Sequence, residues 1–174
     1  MTTVTEPPRA TRTTGRALRD AFAQFPSGVV AVAAEVDGAP VGMAVSAFAP
    51  VSLEPALVGI FVRNLSETWP ELRRASSVGI TVLGSAHAAL ARTLAGPAAQ
   101  RFADVRLSRG DGDALFVDDA PMRMEAVVAS EHPAGDHTLV LFEVRSADVQ
   151  ADRPALLFHG SALAGFTHAV GERP

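Results

Sequence analysis

Residues 29–49 read VVAVAAEVDGAPVGMAVSAFA: two runs of β-branched and small apolar residues joined by Asp37-Gly38. An Asp-Gly pair tolerates the left-handed backbone of a two-residue hairpin turn, so the flanking runs, Val29 to Val36 and Val41 to Ala49, are expected to pair antiparallel. Pro50 to Pro55 reads as a connection, and Leu57 to Val62 as a third strand, apolar throughout and therefore central. Val78 to Leu83 is a fourth. Met122, Met124, Ala126 and Val128 alternate with Arg123 and Glu125, Thr138 to Val144 returns, and HPAGDH between them reads as the hairpin loop. Leu156 to His159 closes the series. About seven strands without regular strand-helix alternation point to a mainly β, antiparallel small barrel rather than a doubly wound parallel sheet.

Short helices interrupt this pattern. Leu18, Ala21, Phe22 and Phe25 share one helical face, stopped by Pro26-Ser27-Gly28, and are expected to plug or flank the sheet. Thr68, Pro70 and Glu71 carry a capping-box signature for a helix ending near Ser76-Ser77. Ser85 heads an alanine-rich helix over 86–94 that Gly96-Pro97 ends. The stretch around Arg109-Gly110-Asp111-Gly112-Asp113 reads as loop. Residues 1–14, rich in Thr and Pro, read as a disordered arm; 15–168 as one domain; 169–174 as a short tail.

Composition removes several chemistries. With no cysteine the chain has neither disulfide nor thiol nucleophile nor thiolate metal ligand. A net charge of -4 and no basic cluster argue against nucleic acid as partner. The least charged stretch, 41–62, is broken by Pro50, Glu54 and Pro55, so no membrane span is expected. MTTVTEPPRA lacks a signal-peptide core, which makes the cytoplasm the expected compartment. The five histidines form no compact ligand pattern, and no metal is expected. No GxGxxG, GxxxxGK[ST] or GxSxG is present.

Three clusters can carry chemistry, each with a plainer reading beside it. In Asn64-Leu65-Ser66-Glu67-Thr68-Trp69, hydroxyls and amides meet at a helix start beside Arg63, which suits a phosphate; equally, Thr68 is simply an N-cap. In Gly42-Met43-Ala44-Val45-Ser46-Ala47-Phe48, small residues around a serine leave room for a flat heterocycle against the backbone, although a packed strand has the same alternation. Gly135-Asp136-His137 presents a titratable ring at a hairpin mouth, as a substrate-positioning group or as a loop histidine bonded to Asp136. Trp69 is either core or part of a cofactor stack.

Taken together, FPSGVVAVAAEVDGAPVGMAVSAFAPVSLEPALVGIFV, NLSETW, ALARTLAG, QRF and GDHTLVLFEV, in this order over about residues 18–166, resemble the flavin reductase family. The resemblance implies an FMN-binding split barrel, a Greek-key antiparallel barrel of six to seven strands with short flanking helices, usually a homodimer. It implies FMN or FAD as flavin, NADH or NADPH as hydride donor, and a flavin-dependent monooxygenase as the partner that receives reduced flavin. By the same resemblance Met43, Ala44, Val45, Ser46 and Ala47 line the isoalloxazine, Asn64, Ser66, Thr68 and Trp69 lie by the flavin phosphate, and Gly96, Arg101 and Phe102 complete the cofactor site. His137 is implied near the nicotinamide, as the catalytic residue. The sequence departs from the family pattern at Ala44 (commonly Thr), Ala47 (often Ser or Asn), Ala89 (Gln) and Leu94 (Phe). The first two departures remove side-chain donors, and all four keep a second reading open: a flavin-binding protein for storage or sensing, with little or no turnover.

Overall fold

The computed structural model describes residues 14–166. The arm and tail read from the sequence therefore lie almost wholly outside the described residues. In chain order the elements are α1 (Gly15–Phe22), β1 (Ser27–Gly28), β2 (Val30–Val36), β3 (Ala39–Val45), β4 (Phe48–Leu53), β5 (Ala56–Arg63) and α2 (Trp69–Leu72). There follow β6 (Val78–Val82), α3 (Ala88–Leu94), β7 (Leu107–Arg109), β8 (Leu115–Val117), β9 (Met122–Ala134), β10 (His137–Val149), β11 (Leu156–His159) and β12 (Ala162–Gly165). One 3-10 turn, Ser85–His87, leads into α3, and a second, Ala98–Gln100, follows it.

Seven strands form one antiparallel sheet in the order β3-β2-β6-β9-β10-β5-β4. The chain neighbours β3 and β4 thus stand on opposite edges, joined only by Ser46 and Ala47. Laid flat, seven strands would hold those edges about 29 Å apart, whereas the three Cα steps from Val45 to Phe48 reach only about 11 Å. The sheet has to curl until its edges meet, which makes it a barrel. The Phe61 amide donates to Ala47 O at 3.0 Å, carrying the β4-β5 pairing one step past Phe48, and no ladder joins β3 to β4. The barrel is mainly β, antiparallel and split.

Strand β2 explains the core. Val30, Val32 and Ala34 point into the barrel with Ile60, Ile80, Val140 and Phe142, while Val29 and Ala31 pack outside it with Leu83, Ala91, Leu94 and Leu156 under α3. Burial on both faces turns the usual period-two pattern into a continuous apolar run. Backbones touch where glycine allows: a Cβ on Gly42 would stand 2.4 Å from Val32 O, and one on Gly79 2.1 Å from Leu115 O.

The Asp37-Gly38 turn forms as expected, with φ of 52° and 79° and β2 paired to β3 in register from Val30↔Val45 to Val36↔Ala39. Other expectations need correction. The strand expected over Val41 to Ala49 is two strands, because the chain changes sheet edge at Ser46-Ala47. Most of the expected connection, through Leu53, belongs to β4, which turns into β5 at Glu54-Pro55. HPAGDH is mostly strand: only Gly135 and Asp136 turn, and β9 and β10 pair over 13 residues each with two bulges, since backbone bonding continues whatever the side chains. The stretch around 109–113 is the loop of the β7-β8 hairpin, and β12 adds to β11. Helix α2 stops at Leu72, short of Ser76-Ser77. Helix α1 does not plug the sheet; it buries no residue, and Phe22 and Phe25 are exposed. No helix among the described residues is long and apolar enough to cross a membrane.

Candidate functional site

A cleft of about 850 Å³ opens over the barrel seam. Its floor is the end of β3, Gly42 to Val45, with Ser46 and Ala47 where the chain leaves the ladder. One wall is the end of β5 with the start of α2, the other the residues after α3, and His137 sits at the rim. A second cavity of about 490 Å³ lies behind the same strand end, sharing Ala44, Val45 and Ser46 and otherwise lined mainly by apolar side chains such as Phe158 and Leu163.

Of the residues singled out from the sequence, Met43, Ala44, Val45, Ser46, Ala47, Ser66, Thr68, Gly96, Arg101, Phe102 and His137 line the one cleft. Four sequence segments converge there. Asn64 and Trp69 do not line it. Trp69 is buried in the core, edge-on to Phe142 with ring centroids 6.0 Å apart, and its indole Nε1 has no hydrogen-bond partner among the described residues. It follows Thr68 into the first turn of α2, whose inner face must fill the barrel end. Asn64 bonds to the β9-β10 turn instead. Leu65 of the same candidate cluster lines the cleft as well. Sequence reading passed over Phe61 and Pro97 to Ala99, which also line it; nothing local distinguishes them, since their placement follows from the curl of the sheet.

Arg101 organises the walls. Its Nε donates to Gly96 O at 2.9 Å, and its Nη1 to Gly42 O at 2.8 Å and Thr68 Oγ1 at 2.7 Å. One planar fork thereby ties the end of α3, the middle of β3 and the start of α2, a geometry that lysine cannot reproduce. The expected capping box at Thr68 is absent: its backbone is already helical, and its hydroxyl is taken by Arg101. Ser66 caps instead, accepting the Trp69 amide at 3.2 Å.

His137 Nδ1 donates to Asp136 Oδ1 at 2.8 Å, since an ionised carboxylate can only accept, which leaves Nε2 as the free ring nitrogen. The hydrogen bond and charge of His137, with Arg63 adding a smaller share, hold the Asp136 carboxyl below its ordinary pKa. Arg63 pairs in register with His137 across β5 and β10, giving the rim a cationic corner. Glu67 and Glu71 stand on the opposite charge side of the same wall. Among the described residues no three His, Asp or Glu side chains cluster as a metal site would require.

The lining fits a planar heterocycle with a phosphate tail. Small side chains at Gly42, Ala44 and Ala47 leave the β3 end open to close approach, the Ser46 hydroxyl makes no hydrogen bond among the described residues, and Arg63 and Ser66 supply donors along the wall. The departures Ala44 and Ala47 confine polar recognition on the floor to the main chain and Ser46.

Comparison with known proteins now decides the family. The family model described as "Flavin reductase like domain" matches residues 22–167, and a Pseudomonas putida flavin reductase is 31% identical over 149 residues, 85% of this chain and 88% of that one. The chain belongs to this flavin reductase family. A second member, named actinorhodin polyketide dimerase, from Streptomyces coelicolor, is 32% identical over 158 residues, covering 90% of this chain and 89% of its own. Among solved structures, the Streptomyces globisporus NADH:FAD oxidoreductase SgcE6 in complex with NAD and FAD fragments superposes with a TM-score of 0.84 at 29% identity, over 90% of this chain and 94% of that one. Other relatives are named as reductase components of flavin-dependent monooxygenases. For a flavin reductase, a cleft on small residues with no acid-base triad is chemically sufficient, because the cofactors carry the electrons and the protein supplies position.

Proposed function

We propose that this chain is an NAD(P)H-dependent flavin reductase that moves a hydride from NADH or NADPH to FMN or FAD and hands reduced flavin to a flavin-dependent monooxygenase in the cytoplasm. The observation that carries it is the convergence of the β3 end, Ser46, the Arg101-braced walls and His137 on one cleft. When bound, flavin would supply the hydride acceptor and the nicotinamide the hydride. The chain's own residues would hold both in the cleft. Main-chain groups of Met43 to Ala47 and the Ser46 hydroxyl read the heterocycle edge, and Ser66 with Arg63 takes the phosphate. Thr68 and Arg101 keep these walls in place, with Gly96 and Phe102 behind them. His137 orients the nicotinamide with its free Nε2 and abstracts no proton.

We also read the active form as a homodimer. Val51 and Phe61 on the outer face of β4 and β5, Leu53 at the turn between those strands, and Leu18, Phe22 and Phe25 on and just after α1, are large exposed hydrophobics, and such surface is commonly covered by a partner. A second copy suits it best, since closed symmetric pairs are the commonest assembly.

The test is NADH and NADPH oxidation with FMN or FAD added in turn, for the parent and for His137→Ala. The parent is expected to consume nicotinamide only when flavin is present, and His137→Ala to need far more of it for the same rate. Parental rates for His137→Ala at every subsaturating nicotinamide concentration would remove that residue's role. Tight flavin binding without nicotinamide consumption would favour the storage or sensing reading, which Ala44, Ala47, Ala89 and Leu94 prompt.

A further inference from the structure

The turn before His137 takes its hydrogen bonds from outside the β9-β10 hairpin from one residue, Asn64, just past the end of β5. Beyond the last register pair, His137↔Arg63, the ladder between β5 and β10 ends. Asn64 extends it by one step, its amide donating to Asp136 O at 3.0 Å. Its side chain then closes on both flanks of the turn: Nδ2 donates to Gly135 O at 3.1 Å, and Oδ1 accepts from the Thr138 hydroxyl at 2.9 Å. Asn64 thus bonds to Gly135, Asp136 and Thr138, and Asp136 in turn holds the His137 ring. Packing does little here. Gly135 has φ of 69° and open space where a Cβ would be, and the Asp136 side chain is 94% exposed. Without the Asn64 side chain the turn would keep its own ladder, the His137↔Arg63 pairing and the main-chain bond from residue 64 to Asp136 O, and would lose both side-chain tethers.

We propose that Asn64 is a positioning residue that sets the place of His137 at the cleft rim, and that it acts on the nicotinamide side of the reaction through the β9-β10 turn instead of touching flavin. Asn64 does not line the cleft, whereas His137 does. The proposal rests on the reading of His137 as the group that orients nicotinamide. Asparagine suits the task because one planar amide supplies a donor and an acceptor in opposite directions, which is what Gly135 O and the Thr138 hydroxyl require. Aspartate would keep the acceptor and lose the donor.

The test uses the full chain and four variants, Asn64→Ala, Thr138→Val, His137→Ala and the double variant Asn64→Ala/His137→Ala, with KM for NADH and KM for FMN measured separately. Loss of a positioning contact of this kind is expected to raise KM for NADH by about tenfold, with KM for FMN and Tm close to parental. Thr138→Val, which removes one of the three tethers, is expected to move the same parameter by less, and it carries the test if Asn64→Ala does not fold. Because Asn64 acts through His137, adding Asn64→Ala to His137→Ala should change nothing further. A rise in KM for FMN, a fall in Tm with parental KM values, or independent multiplying effects in the double variant overturns the proposal. Parental KM for NADH in His137→Ala overturns the reading beneath it; impaired His137→Ala beside parental Asn64→Ala and Thr138→Val overturns this proposal alone.

Discussion

At the scale of single residues the cleft depends on side chains that do not face the reaction. Arg101 gives both Nε and Nη1 to Gly96 O, Gly42 O and Thr68 Oγ1, so its charge serves the walls before it serves a phosphate. Charge-assisted bonds of this kind are each worth about 1.5–3 kcal/mol in partly buried surroundings. Arg101→Ala is therefore expected to lower unfolding free energy by roughly 2–4 kcal/mol in urea and to weaken flavin binding more than tenfold by fluorescence titration. Arg101→Lys should recover little, because a single ammonium cannot span three acceptors. Parental flavin affinity in Arg101→Ala would show that the walls stand without it. The RF pair marked Arg101 in the sequence, but not its bonding, because its three acceptors lie 5, 33 and 59 positions away. Trp69 was open to two readings for the same reason: the NLSETW segment places it beside the cleft in sequence, and only the direction of α2 turns it into the core.

Elements show where local patterning was sufficient and where it failed. Asp37-Gly38 specified its turn, and β2, β5, β6 and the first half of β9 were visible from apolar patterning alone. The break at Ser46-Ala47 was not, since alternation runs on through it and the change of sheet edge is decided by closure of the barrel. Helix α1 has a clear apolar face, yet none of its residues is buried among the described residues, so periodicity marked its existence and not its docking. The turn before α3 holds a pH-dependent contact that no pattern announced. His87 Nδ1 accepts the Gly84 amide at 3.0 Å, and burial pushes its pKa below the ordinary value, against smaller opposing contributions from the Asp118 backbone and the Asp119 charge. The folded state favours the neutral ring. Its contribution to stability is thus complete above the ordinary histidine pKa of about 6.5 and is lost as pH falls below it toward the lowered folded value. Between pH 7.5 and pH 5.5 the parent should lose more Tm than His87→Asn; equal losses would remove this contact from the account.

For the whole molecule, an antiparallel sheet whose sequential edge strands are two residues apart can only be a closed or split barrel, and that closure brings Ser46, Ser66, Arg101 and His137 together from four segments. The same closure leaves the outside of β4 and β5 apolar. Light scattering is expected to return twice the chain mass across micromolar concentrations, and charges placed at Val51 and Phe61 should shift it toward one; a parent that stays monomeric would contradict the homodimer. The chain has no cysteine, and on this account needs none, because electrons pass directly between two organic cofactors. Anaerobic rapid mixing of the protein with FMN or FAD and one equivalent of NADH or NADPH tests that claim most directly. Bleaching of the flavin's visible absorbance, matched one to one by loss of reduced nicotinamide and dependent on the protein, is the predicted result. Stoichiometric flavin binding with both chromophores unchanged would contradict it.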